Sequence, residues 1–105
     1  MFVMNASFEI EKEYEEILLE KGKKDKKELE AAKGIISVER WQKEHSETVE
    51  YVTVSKWESQ ADFKAWIARD EHVEEHKEMN IKRKESVQTP YKIKKTLRSF
   101  EVVEE

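Results

Sequence analysis

A chain of 105 residues has room for one domain, and neither a repeat nor a flexible linker divides residues 1–105. Hydrophobic residues make up 37% and charged residues 42% of the chain, but ten aromatic residues argue against disorder. The 24 acidic and 20 basic residues are mixed along the sequence and give a net charge of -4, which argues against a nucleic-acid-binding protein.

The chain has no cysteine, which excludes disulfides, thiolate ligands and a cysteine nucleophile. It has no apolar run of membrane-spanning length, and its first residues lack the pattern of a signal peptide. We therefore expect a cytoplasmic protein that does not bind membranes.

Alternating apolar and polar residues predict a first strand from Phe2 to Ile10. Its bulky side chains fall on one side, and its small or polar ones, including Asn5, fall on the other. A helix should follow from Glu11 to about Lys33, with a break near Gly22.

The segments "IISVERWQ" and "VEYVTVSKW" are rich in β-branched and aromatic residues and predict a hairpin, with "KEHSET" as its turn. A second helix should begin after Ser59, which stands in N-cap position with Asp62 three residues later. Its apolar face would carry Phe63, Trp66 and Ile67.

The last predicted strand runs from Tyr91 to Val103, which completes the order β-α-β-β-α-β. This order is typical of a ferredoxin-like α+β fold, in which a four-stranded antiparallel sheet carries both helices on one face. Because the other face needs cover, we expect a homodimer that pairs two sheets into a barrel.

The run "YVTVSKWESQADFKAWIARDEHVEEHK", preceded by "KGIISVERWQ", resembles the antibiotic-biosynthesis-monooxygenase superfamily of dimeric α+β barrels. Within it, the haem-degrading monooxygenases have an Asn on the first strand, a Trp in the second helix and a His near that helix's end. Asn5, Trp66 and His76 fill these places. The resemblance implies that haem is both cofactor and substrate, with O2 and electrons from an external reductase. The haem would lie between the second helix and the sheet, on the Asn5 side of the first strand.

By the same resemblance, His76 is the axial ligand of the haem iron, Asn5 hydrogen-bonds near the distal ligand, and Trp66 presses on the porphyrin. Ten residues separate Trp66 from His76, which on an unbroken helix means about 15 Å of rise and side chains roughly 80° apart. We therefore predict an irregularity around "ARDEH", where Asp70 would cap a second short helix.

Other interpretations of these residues remain open. Trp66 lies three residues after Phe63, which is the spacing of a core residue on a helix. His76 lies on a charged helix and would face solvent, and Asn5 would be an edge or bulge residue of its strand. His72 and His76 have the i,i+4 spacing that can hold zinc, although no further ligand completes a signature. The cluster Lys82, Arg83 and Lys84 would help to hold haem propionates by charge.

Two other functions fit the same resemblance. The first is a cofactor-independent monooxygenase that holds an aromatic or quinol substrate in the same cavity. The second is a non-catalytic dimer that binds haem or serves in a stress response, because a fold does not by itself establish a function.

Overall fold

The computed structural model describes residues 1–69 and 90–104. Its elements follow the predicted order, with a short 3-10 turn at Lys12–Tyr14 before the first helix. The strands are β1 (Phe2–Glu11), β2 (Ile35–Glu44), β3 (Thr48–Trp57) and β4 (Lys94–Glu101), and the helices are α1 (Glu15–Glu30) and α2 (Gln60–Ile67).

The four strands form one sheet in the order β2-β3-β1-β4, and every neighbouring pair is antiparallel. This topology confirms the predicted ferredoxin-like α+β fold. β1 and β3 lie in the centre, so residues from the first strand are flanked on both sides by hydrogen-bonded neighbours. None of the helices within residues 1–69 and 90–104 is long and apolar enough to cross a membrane.

The two faces of the sheet differ in character, as the alternation along the strands predicts. In β3 every second residue from Val49 to Trp57 is buried, and these residues face the helices. We call this side the covered face; Phe2, Ile10, Val49, Tyr51 and Trp57 lie on it. The residues between them point the other way, to what we call the open face, which carries Asn5, Ser7, Glu9, Glu50 and Val52.

The core on the covered face consists of two apolar clusters. One contains Ile10, Val49 and Tyr51 under Leu18 of α1. The other is built around Trp57, whose side chain is fully buried and whose ring centroid lies 5.6 Å from that of Phe63 in α2. Each helix therefore has its own contact area on the sheet.

Ser59 caps α2 as predicted. Its hydroxyl oxygen accepts a hydrogen bond from the backbone N–H of Asp62 at 3.2 Å, and the same hydroxyl donates to the Asp62 carboxylate at 3.0 Å. This cap satisfies an amide that would otherwise have no partner in the first turn.

The predicted break near Gly22 is wrong, because α1 continues through this residue to Glu30. Gly22 is buried in the middle of the helix, and a Cβ atom there would overlap the Arg40 guanidinium. Arg40 in turn donates to the Leu18 carbonyl at 3.4 Å and lies over the Tyr51 ring. The glycine makes room for an arginine from β2 rather than ending the helix.

Two other predicted boundaries also moved. The first helix was expected from Glu11, but β1 extends to Glu11, which pairs with Thr48. The last strand was expected from Tyr91 but begins at Lys94. Before it, the Tyr91 ring centroid lies 5.6 Å from that of Tyr14, and the Lys92 amide donates to the Glu11 carboxylate. This segment therefore contacts side chains of the preceding elements and does not pair with a neighbouring strand.

The substitution Gly22→Ala is expected to destabilise the protein by about 1 kcal/mol, because overpacking against Arg40 outweighs the better helix propensity of alanine. In an Arg40→Ala background the same change should stabilise by up to about 1 kcal/mol. A double-mutant cycle by urea denaturation measures this reversal of sign. An equal effect in both backgrounds would contradict the assigned role of Gly22.

Candidate functional site

A cavity of about 380 Å³ lies on the open face. Its floor comes from β1, where Asn5, Ser7 and Glu9 point to the same side because alternate residues of a strand share a face. Trp41 of β2 and Glu50 of β3 contribute to the lining. The cavity lies on the Asn5 side of β1 as expected, but α2 packs against the other face of the sheet, so it is not the expected pocket between the second helix and the sheet.

The register of the strands decides which side chains meet in this cavity. Asn5 lies opposite Arg98 of β4, and Glu9 lies opposite Glu50 on one side and Lys94 on the other. Lys94 and Arg98 therefore give the β4 wall of the cavity a positive charge. Glu9 of β1 and Glu50 of β3 give the end of the cavity near the β2–β3 turn a negative charge. The cavity is polar and divided by charge.

Asn5 has a feature that suggests ligand contact. Its side-chain oxygen Oδ1 is buried and has no hydrogen-bond partner among residues 1–69 and 90–104. A buried acceptor without a partner is uncommon and costs free energy. A donor from a molecule in the cavity would satisfy this atom.

Trp41 provides an aromatic surface beside the same cavity. Its side chain is 52% exposed, and its indole Nε1 donates to the Glu39 carboxylate at 3.3 Å. An exposed indole offers a planar apolar surface on which an aromatic ligand can stack. Reasoning from the sequence missed Trp41; its signal was a tryptophan among polar residues in a predicted strand.

Trp66 lies in α2 on the covered face. Its ring centroid is 6.3 Å from that of Trp57, and it packs at the edge of the second apolar cluster. The Arg69 guanidinium lies 3.4 Å from the Trp66 ring centroid and also pairs with Glu28 at 3.4 Å. Arg69 is a second residue that sequence reasoning missed, and it occupies one face of the indole.

The sheet separates two of the three predicted site residues. Asn5 lies on the open face, and Trp66 packs on the covered face. The third, His76, lies outside the described residues, as do His72, Asp70 and the cluster Lys82, Arg83 and Lys84. Within residues 1–69 and 90–104, the structure therefore does not bring the predicted site residues together.

The helix that carries Trp66 is short. α2 ends at Ile67, and Ala68 is its C-cap. The Ala68 amide still bonds to the Lys64 carbonyl, while the Arg69 amide turns to the Trp66 carbonyl. The predicted irregularity around "ARDEH" is confirmed at Ala68 and Arg69, where the helical hydrogen-bond pattern ends. The predicted second helix, which Asp70 would cap, falls on residues outside the described ones.

Comparisons with known proteins agree with this fold. Residues 1–78 match the profile of the antibiotic biosynthesis monooxygenase family. A search of curated proteins found no match to the sequence.

Several solved structures share the fold at low sequence identity. The haem-degrading protein MhuD of Mycobacterium tuberculosis, with two haems bound in its active site, is 19% identical with a TM-score of 0.64, over 100% of this chain and 98% of that one. SnoaB of Streptomyces nogalater, a cofactor-independent oxygenase crystallised as a mutant, is 7% identical with a TM-score of 0.65, over 99% and 95% of the two chains. At these identities the likeness shows the fold alone.

Proposed function

Because the chain belongs to the antibiotic biosynthesis monooxygenase family, we propose that it is a haem-degrading monooxygenase. The family supports monooxygenase activity in general, and the haem substrate is the proposed part. Haem would be both cofactor and substrate, with dioxygen and electrons from an external reductase. The product is an opened porphyrin and released iron.

The observation that carries the proposal is the end of α2 directly after Trp66. On a continuous helix, Trp66 and His76 would be about 15 Å apart along the axis and roughly 80° apart around it, too far to share one ligand face. Because α2 ends at Ile67, that restriction does not apply. The binding of haem by MhuD, which shares the fold, supports the same substrate.

In this proposal the His76 imidazole would hold the haem iron, since a neutral imidazole binds iron well, and the bound haem would supply the chemistry of dioxygen activation. Trp66 contributes a rigid apolar surface against the porphyrin, and distortion of the macrocycle is one means by which proteins steer haem chemistry. Arg69, which lies over the Trp66 ring, has to move aside. Its guanidinium is then available to a propionate, as are Lys82, Arg83 and Lys84.

Asn5 is the third residue of the proposed site, and its place in the fold makes its role testable. A haem beside Trp66 lies on the covered face, whereas Asn5 points to the open face. Because β1 is paired on both sides of Asn5, this residue could reach a haem on the covered face only through a slip of the whole strand register. Asn5→Ala is therefore expected to behave as wild type toward a haem beside Trp66, and slower haem loss in this variant would contradict that position of the haem.

We also propose a homodimer that pairs the open faces of two sheets. Trp41 is 52% exposed and Phe100 is 41% exposed on this face, and a second sheet would remove this apolar area from water.

Titration of the purified protein with haem tests the leading proposal. We expect a shift of the Soret band that saturates at one haem per chain, followed by loss of the band when ascorbate or a reductase is added in air. The absence of any shift would contradict haem binding. A shifted band that survives both reductants would indicate a non-catalytic haem-binding protein.

A second candidate is a cofactor-independent monooxygenase for an aromatic or quinol substrate. It is favoured by the buried Asn5 oxygen, which lies beside the Trp41 surface and has no partner in the described part of the chain. SnoaB, a cofactor-independent oxygenase, has the same fold. The same preparation separates the two candidates. Oxygen uptake with a polycyclic quinol by haem-free protein, lost in Asn5→Ala and without a Soret shift, would favour this second function.

A further inference from the structure

Three side chains with metal-binding atoms meet where β1 passes the β2–β3 turn. Glu9 of β1 lies opposite Glu50 of β3 in the register, and His45 is the first residue after β2. His45 Nε2 is 3.0 Å from Glu50 Oε1 and 4.0 Å from Glu9 Oε1. One ligand atom from each of the three residues lies within 4.8 Å of the other two.

These spacings are close to those of a metal centre. Zinc bonds to imidazole nitrogen and carboxylate oxygen are about 2.0–2.2 Å long, so two ligand atoms of a tetrahedral ion are about 3.3–3.6 Å apart. The two distances from His45 Nε2 lie on either side of this value. Small rotations of two carboxylates are enough to place an ion between them.

Each carboxylate is also held by its other oxygen. The Thr48 hydroxyl donates to Glu9 Oε2 at 2.7 Å, and the Ser7 hydroxyl donates to Glu50 Oε2. Both Oε1 atoms are thereby left on the side of His45. Metal-binding carboxylates are commonly oriented by such outer hydrogen bonds.

The donor set favours a cation, because two carboxylates and one imidazole converge on the same space. Lys43 and Lys94 face the pair from the neighbouring strands, opposite Glu50 and Glu9. In the single chain the site is also accessible, because both carboxylates line the cavity of the open face and His45 is 36% exposed.

We propose that His45, Glu9 and Glu50 form a binding site for a divalent transition-metal ion such as Zn²⁺. His45 Nε2 and one oxygen from each glutamate are the three protein ligands, and the remaining positions face the cavity. One imidazole with two carboxylates is a donor set that suits zinc and its neighbours in the first transition series. The site is distinct from the proposed haem position and does not depend on the haem proposal.

Calorimetric titration of the haem-free full-length chain with Zn²⁺ tests the site, with Co²⁺ as a spectroscopic probe because its visible absorption reports coordination. We expect one ion per chain. Glu50→Gln and His45→Gln should each weaken binding at least tenfold, and Ser7→Ala should weaken it about tenfold through the orientation of Glu50. Circular dichroism checks that each variant is folded.

Two control variants distinguish this site from other side chains that could bind the ion. Glu47→Gln removes a carboxylate from the same turn and should leave the affinity unchanged. The double variant H72A/H76A removes the histidine pair with i,i+4 spacing and should also retain the ion. Binding that is lost in the double variant but kept in Glu50→Gln, or no binding to the wild-type protein, would overturn the proposal.

Discussion

Replacing Trp57 by alanine should lower the free energy of unfolding by about 3–5 kcal/mol, the cost typical of deleting a large aromatic side chain from a core. The Trp57 side chain is fully buried, and its ring contacts Phe63 and Trp66. Its indole N–H also donates to Ser55 Oγ at 3.0 Å, so the change leaves that hydroxyl without its donor. Urea denaturation followed by circular dichroism measures the effect.

Trp41→Ala is the matched comparison, because it removes the same side chain from a position that is 52% exposed. In a single chain this change should cost about 0.5 kcal/mol or less. If two open faces pair, its cost will grow with protein concentration, whereas the cost of Trp57→Ala will not. If both variants, measured in dilute protein, lose the same small amount of unfolding free energy, the described core is wrong.

His76→Gly should abolish the Soret shift under conditions that saturate the wild-type protein, a loss of haem affinity of at least about 100-fold, because it removes the only proposed protein bond to iron. Added imidazole should restore the shift by occupying the vacated position. Absorbance titration with and without imidazole measures both effects. This prediction rests on the place of His76 in the sequence relative to Trp66.

His72→Gly is the matched control for this experiment, since it removes the neighbouring histidine and should leave the Soret shift intact. The reverse result, with binding lost in His72→Gly and kept in His76→Gly, would reassign the ligand. Wild-type behaviour of both variants would remove the basis of the haem proposal. Neither substitution changes Glu9, His45 or Glu50, so the metal site is tested separately.

Local sequence patterns were sufficient to predict most of the fold. The alternation that predicts the first strand from Phe2 matches β1, which pairs with β3, where every second residue is buried. The Ser59 cap was predictable because its hydrogen bond spans only three residues. The family resemblance was likewise visible in short runs such as the one from Trp57 to Lys77, and the match over residues 1–78 confirms it.

The errors came from contacts between residues that are distant in the sequence. Gly22 was predicted to break the helix because its contact with Arg40 of β2 is not visible in the local sequence. Tyr91 was predicted to begin a strand because its contact with Tyr14 is equally invisible there. Arg69 was missed as a neighbour of Trp66, and its other partner, Glu28, belongs to α1.

The sequence by itself determined the order of the elements and the family, because these depend on residue periodicity and short runs of residues. Only the tertiary structure decided which side chains meet. It placed Asn5 and Trp66 on opposite faces of one sheet and brought Glu9, His45 and Glu50 together from three segments. Strand register and helix packing set those distances, and both depend on the contacts of the whole folded chain.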